Sequence, residues 1–465
     1  MKKVTHFLVL AILSFITGDL CAVIKPDFRV NPPDTVFIAQ FTTDVAFQKN
    51  GSFVVVWEDR GWDHDNRQVY FQRYDSLGNP IGPITQVSNS GTGYYNQGCQ
   101  IATDSTGAFA ICYVSTEFVW VDPITGQDVF IFNVYVRLYS ANGQPLTPSM
   151  KVDLDRPDTY ENEVWYAERH PHVARHKNGK FVVVWEEETN SPNDSVHRKI
   201  LCQFYDENGQ RVGNNIMVNN PDSTEFPIST RYAVFARAAI TDDEHVLICW
   251  EGLPSGQIQP YPLATLYRIG GENIRRVFSL LEFDFTNNRF GSTPDVEATP
   301  QNEFVVSFDF NDNVISYPNN AIGVRRVDTL GNFLGSVLIC LDTVDIGDIW
   351  RMPRVNAGPD GYIVFWSDKR SGDRNLMAQS YDYSDKPIGK NYRINGAFGS
   401  LSSPPDIFID ERQGNRFYYD LDLNLRGNTV VAWCDYRNYV VTSADIYAKL
   451  LKFEEIGFYK SGDLN

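Results

Sequence analysis

The chain has 465 residues, 43% of them hydrophobic and 14% aromatic, so it can bury a large core and is not a disordered polymer. A formal charge of −17 and a pI near 4.9 argue against a partner held by bulk attraction to phosphate backbones or anionic lipid. Glycans, cations and basic proteins stay open as partners.

The first element is a secretory signal. Met1-Lys2-Lys3 and the apolar run from Val4 to Ile16 give a charged start and a short hydrophobic core. Leu20-Cys21-Ala22 is a passable cleavage site with an imperfect Leu at −3, so residues 1–22 are expected to be removed; lipidation at Cys21 would need a small residue where Leu20 stands. No later stretch has the ~18 uninterrupted apolar residues of a membrane span. The expected product is an exported single domain, 23–465, secreted or held at the surface or in the periplasm of a bacterium.

One unit then recurs. Phe53-Val54-Val55-Val56-Trp57-Glu58-Asp59 is an apolar run ending in an aromatic residue and charges. The same design surrounds Tyr113, Trp185, Trp250, Phe308, Trp366 and Trp433, roughly every 60 residues, which marks a repeat architecture. The third copy shows the parts. Pro171 to Arg175 is a short strand, 177–180 a tight turn and Phe181 to Trp185 a buried strand. After a variable polar stretch come a third strand, Ile200 to Asp206, the turn 207–210 and a fourth strand, Asn215 to Asn219. The Asn-Gly and Gly-Asn turns supply the positive φ that hairpins need. Four antiparallel strands in each of seven units predict an all-β, seven-bladed β-propeller.

The last unit lacks a clear fourth strand, whereas Pro26-Asp27-Phe28-Arg29-Val30-Asn31 matches one such as Asn391 to Asn395. Residues 26–31 are therefore expected to complete blade seven and close the ring, removing an open sheet edge. The stretch Pro404 to Phe417 is an insertion in the same blade.

The turns between strands one and two, and three and four, are short. The connections between strands two and three, and between blades, are long, and both kinds leave one face of the disc. That face is the expected recognition surface. It carries Arg60, Trp62, Asp63, Asp65, Tyr94, Tyr95, Trp120, Trp165, Tyr166 and Arg370, with Glu186, Glu187 and Tyr261 among further polar and aromatic residues. Aromatic rings stack on pyranose faces while carboxylates and guanidinium groups bond to hydroxyls, so a glycan is one expected ligand and a surface protein the other. The same tryptophans would alternatively fold back to cover the loops.

Other constellations carry bland readings beside sharp ones. Trp57-Glu58-Asp59-Arg60, Trp366-Ser367-Asp368-Lys369-Arg370 and Trp433-Cys434-Asp435-Tyr436-Arg437 recur, which favours a structural Asp–Arg pairing over catalysis. Asp63-His64-Asp65-Asn66 and Asp309-Phe310-Asn311-Asp312-Asn313 alternate oxygen ligands like a calcium loop but lack its glycine and distal Glu, so no metal or cofactor is assigned. His170, His172 and His176 share strand parity; a metal would need a ligand from another blade. Cys99 and Cys112 flank the turn at Ser105-Thr106 symmetrically, so a cross-strand disulfide is geometrically open. The Ser-x-Asp-x-Gly-x-x-Trp boxes of sialidases are absent, although a carboxylate pair could hide among 58 acidic residues.

The units Val55-Val56-Trp57-Glu58-Asp59, Tyr70-Phe71-Gln72-Arg73-Tyr74-Asp75, Leu77-Gly78-Asn79-Pro80 and Gln86-Val87-Ser88-Asn89 resemble those of secreted bacterial β-propeller repeat proteins. The resemblance spans nearly the whole mature chain and implies a fold but no shared catalytic residues. The reading is an exported, monomeric, non-enzymatic propeller that binds an extracellular glycan or surface protein through its long-loop face. Its rivals are a polysaccharide-acting hydrolase or lyase with carboxylate catalysis on that face, and a purely structural envelope protein.

Overall fold

The computed structural model describes residues 22–452, except 33–39, 60–66, 89–93, 122–127, 155–165, 190–197, 221–227, 256–258, 282–289, 312–320, 341–351, 372, 396–418, 424–427 and 439–443. The expected signal peptide lies almost wholly outside them. Strands and turns make up these residues, with no helix long and apolar enough to cross a membrane.

The strands form seven four-stranded antiparallel sheets, the blades of one ring. Blade one is β2 (Gln40–Phe47), β3 (Phe53–Asp59), β4 (Gln68–Tyr74) and β5 (Pro80–Gln86). Blade two is β6 (Tyr94–Thr103), β7 (Phe109–Val121), β8 (Asp128–Tyr139) and β9 (Met150–Lys151). Blade three is β10 (Tyr166–Arg175), β11 (Phe181–Thr189), β12 (Arg198–Tyr205) and β13 (Arg211–Met217). Blade four is β14 (Ile228–Ile240), β15 (His245–Pro254), β16 (Tyr261–Arg268) and β17 (Asn273–Ser279). Blade five is β18 (Phe290–Ala298), β19 (Phe304–Asn311), β20 (Ala321–Val327) and β21 (Leu338–Ile339). Blade six is β22 (Arg354–Ala357), β23 (Gly361–Ser371), β24 (Asp373–Asp382) and β25 (Pro387–Arg393). Blade seven joins β26 (Tyr419–Leu423), β27 (Asn428–Asp435) and β28 (Asp445–Lys452) to β1 (Ala22–Arg29) from the start of the chain.

The apolar runs are the second strands, and their side chains alternate between the two faces of each sheet. In β3, Val54 and Val56 pack toward blade two while Phe53, Val55 and Trp57 pack toward blade seven. A blade buried on both faces explains why these strands read as continuous hydrophobic runs. Each aromatic that ends a run, Trp57, Tyr113, Trp185, Trp250, Phe308, Trp366 and Trp433, is buried. The same alternation settles the cysteines. Cys99 packs between blades one and two and Cys112 between blades two and three, so they lie on opposite faces of one sheet and both are free thiols.

Closure follows the sequence expectation, with β1 beginning a little earlier than residue 26. Ala22 pairs with Lys452 and Arg29 with Tyr447. The Val30 N–H donates to the Ile446 carbonyl at 2.8 Å. The Asn31 side chain then accepts the Ile446 N–H at 2.8 Å, as Asn219 accepts that of Ile200 at 2.9 Å and Asn395 that of Leu376 at 2.8 Å. One side-chain bond thus occupies the same place at the end of the fourth strand in blades three, six and seven. The Arg29 guanidinium adds a 2.6 Å ion pair with Asp445, and Arg437 reaches Asp27 at 2.9 Å.

Candidate functional site

The first strand of each blade faces the axis of the ring. Taking the residue opposite the one just before the buried aromatic, the ring places Asp44, Gln100, His172, Arg237, Asp295, Arg354 and Asp420 at equivalent positions. Two residues further along stand Ala46, Ala102, Ala174 and Ala239 on blades one to four, and Glu297, Asn356 and Asp422 on blades five to seven. The methyl groups leave room, and a cavity of about 230 Å³ opens on the axis.

The polar groups of this channel hold blades together. An inner strand has a sheet neighbour on one side only, so its axial N–H groups need other acceptors. The preceding blade provides them. Asp44 accepts the Ile101 N–H at 2.7 Å, Asp295 that of Val355 at 2.9 Å and Asp422 that of Phe47 at 2.6 Å, the last across the closure. His172 Nδ1 accepts the Ala238 N–H at 3.3 Å. Burial, then the charges of Arg237 and Arg354, holds the His172 pKa well below its ordinary value, which agrees with a neutral, accepting ring. Arg237 donates to Gln100 at 3.2 Å and lies 3.7 Å from Asp295. Burial, then the charge of Asp420, pushes the Asp44 carboxyl well above the usual range, and burial with the charge of Asp422 pushes Glu297 up to about 8.

Above this layer, at the end where the long connections leave, the inner strands bulge. Thr42, Gly98, His170, Phe235, Thr293 and Met352 all take positive φ, each two residues before its channel residue. Carboxylates that follow the buried aromatic of one blade accept bulge N–H groups of the next. Glu186 takes that of Phe235, Glu251 that of Thr293 at 2.9 Å and Asp309 that of Met352 at 3.4 Å. His170 Nδ1 lies 2.9 Å from Glu186, the Tyr232 hydroxyl donates to Glu251, and Arg198 pairs with Glu188 at 2.9 Å. Burial, then the charge of Glu251, raises the Tyr232 pKa, so its phenol keeps its proton.

Arg60, Trp62, Asp63, Asp65 and Trp165 lie outside the described residues, and so does the first candidate calcium loop. Tyr94 and Tyr166 open β6 and β10, with Tyr95 beside the former; Trp120 and Arg370 stand near the ends of β7 and β23. Three expectations are corrected. Glu186 and Glu187 are buried, because Glu186 accepts an interblade N–H and Glu187 pairs with Lys199 at 2.9 Å; Tyr261 is buried where β16 begins. The histidines do not form one group. The bulge breaks register between Arg169 and His172, leaving His170 at the rim, His172 on the axis, and His176 beside the Asp242 carbonyl at 3.2 Å. Asp309, from the second calcium-like stretch, is spent on Thr293 and Met352. Among the described residues no cluster of three His, Cys, Asp or Glu could hold a metal. The Trp-x-Asp-x-Arg stretches were expected to pair Asp with Arg between loops or neighbouring blades; in the last one the pairing is local, Asp435 taking the Trp433 indole N–H and the Arg437 guanidinium of its own stretch, both at 2.7 Å. Sequence reading missed the axial ring and the bulges; the signal that could have found them is the polar residue opposite each hydrophobic run.

No protein-family model matches the chain, and no curated protein does. Among solved structures, the polysaccharide lyase Uly1 is 9% identical, with 88% of this chain and 89% of that one covered at a TM-score of 0.51. A PL25 ulvan lyase bound to -[GlcA(1-4)Rha3S]- is 10% identical over 93% and 96%, with a TM-score of 0.48. The β-propeller domain of the Trilobed protease from Pyrococcus furiosus is 9% identical over 93% and 100%, with a TM-score of 0.46. At such identities the likeness is one of fold alone.

Proposed function

We propose that the chain is an exported, monomeric propeller that binds an extracellular glycan through the face of its long connections. One observation carries the reading: how chain length is distributed between strands. On one face most links are short turns, such as 48–52, 104–108, 176–180 and 299–303, with 140–149 and 328–337 the longer ones. On the other most are longer, such as 60–67, 152–165, 190–197, 340–353 and 394–418, while residue 372 alone joins β23 to β24. A closed ring with its variable segments gathered at one end is how rigid scaffolds present recognition surfaces. The segments and strand ends there include Arg60, Trp62, Asp63, Asp65, Tyr94, Tyr95, Trp120, Trp165, Tyr166 and Arg370, residue types that stack on sugars and bond hydroxyls.

The test incubates the protein with soluble and insoluble polysaccharides, with and without calcium, scoring retention and new chain ends in the same tubes. Uly1 is described as a polysaccharide lyase, so uronate-bearing polymers belong in the panel. Retention without new ends, lost in Trp62→Ala or Trp120→Ala, is the expected result. New reducing or unsaturated ends would replace this reading with a hydrolase or lyase. Neither result would leave a protein partner or a structural envelope role.

A further inference from the structure

We infer that the rim of the channel between blades three and four is a subsite for an uncharged pyranose unit, built on the facing rings of His170 and Phe235. This rests on the glycan-binding reading and gives it an address and a ligand class.

The bulges supply the first observation. Five inner strands hold a left-handed residue at the rim and Met352 stands just before a sixth, β22, and what fills the place differs around the ring. Gly98 has no side chain, Thr42 is short, and Thr293 and Met352 are buried. His170 and Phe235, neighbours across the blade interface, put rings there. Their centroids are 5.8 Å apart with planes at 49°, and the His170 side chain is 31% exposed. Bulky residues seldom take φ of 48° or 59°, and such strain persists where surrounding contacts fix the backbone. Here Glu186 does so, accepting the Phe235 N–H while lying 2.9 Å from His170 Nδ1.

The second observation is the polar edge beside those rings. The half-buried Tyr232 hydroxyl, three residues before Phe235 on β14, donates to Glu251. A pyranose offers C–H faces to aromatic rings and hydroxyls around its rim; the tilted ring pair matches the first, and the partly exposed His170 imidazole and the Tyr232 hydroxyl match the second. Charge decides between sugar classes. Among the described side chains, Glu186, Glu187, Glu188 and Glu251 outnumber Arg169, Arg198 and Lys199 along this rim, and the whole chain carries −17. Uronates and sulfated sugars would be repelled by that field, whereas neutral hydroxyls lose nothing.

The experiment titrates the full chain against neutral gluco-, manno-, galacto- and xylo-oligosaccharides, alongside uronate and sulfated oligosaccharides of matched length. Phe235→Asn and His170→Asn remove each ring with a residue that tolerates left-handed φ, so the bulge should persist. Expected is saturable binding to at least one neutral oligosaccharide, weakened roughly tenfold in either variant with melting unchanged. His170 imidazole resonances of the unmodified protein, assigned by their loss in His170→Asn, should shift on titration; that readout serves even if a variant fails to fold. Binding that survives both substitutions with still resonances would overturn the subsite and leave the glycan reading standing. Preference for uronate or sulfated chains would overturn the uncharged class. No binding to any chain would remove both readings.

Discussion

At the scale of single residues, the recurring letters of the repeat are mostly side chains that satisfy backbone groups the sheets leave over. The glutamine of the third strand is one case. Gln72 donates to the carbonyls of Arg73, Ile81 and Gly82, and Gln203 does the same with Phe204, Val212 and Gly213, closing a bulge in the fourth strand. Arg325 stands in that place in blade five and bonds the Leu280 and Gly335 carbonyls. The aspartate that ends the strand folds its turn: Asp75 accepts the N–H of Leu77 at 2.9 Å and of Asn79 at 2.8 Å. The carboxylate after the buried aromatic also satisfies a backbone group, accepting a bulge N–H of the next blade in Glu186, Glu251 and Asp309. Glu251→Ala would leave the Thr293 N–H and the Tyr232 hydroxyl without that acceptor in a buried place. The expected loss is about 1–3 kcal/mol in urea unfolding. A loss below about 0.5 kcal/mol would mean that water or another group takes over the bonds.

At the scale of elements, the second strands were legible because apolar residues on both faces make an unbroken run, as in Phe181 to Trp185. The third and fourth strands were legible from their turns. The first strands were not, and the reason is physical. A left-handed residue such as His170 shifts the alternation, so residues of equal parity, His170 and His172, end in different settings. Polar residues on the axis also look like solvent-facing positions in any strand read alone. The candidate site was legible only as a face, because which loops meet depends on how blades are apposed. The inner strands also give the molecule a pH dependence. Folded, Glu297 keeps its proton up to about pH 8, against an ordinary value of 4.5. Between those values the folded chain binds more protons than the unfolded one, so stability should fall as pH rises through this window and level off above it. Burial raises Asp44 and Asp295 too, which adds to the same slope. Glu297→Gln should match the wild type near pH 5 and become the more stable protein by about pH 9. An equal difference at both pH values in urea unfolding would refute the assignment.

At the scale of the whole molecule, everything depends on a ring whose last seam is made by the two ends of the described chain. The other six blades are each continuous in sequence, so an opening there breaks a blade that can re-form locally. Blade seven takes its outer strand from β1, some 400 residues away along the chain, and that long loop carries the largest closure entropy of the fold. Side chains at the seam offset this. Asp27 holds Arg437 at 2.9 Å, Arg29 holds Asp445 at 2.6 Å, and Phe28 packs its ring 5.4 Å from Tyr74 of blade one. Deleting residues 22–31 should therefore expose the outer edge of β28 along with the polar groups of Asp445 and Ile446. Two consequences follow. The melting temperature should drop by about 10 °C or more, since every blade leans on a closed neighbour ring. The bared edge should recruit another strand, so the truncated protein should form dimers or larger species by sedimentation. A synthetic peptide spanning Val23 to Asn31, added in trans, should pair with β28, raise the melting temperature again and return the protein to the sedimentation behaviour of the full chain. A truncated chain that melts unchanged and sediments like the full chain would show that β1 decorates blade seven without closing it. A lowered melt that the peptide cannot restore would locate the loss in chain connectivity rather than in the strand contacts named above.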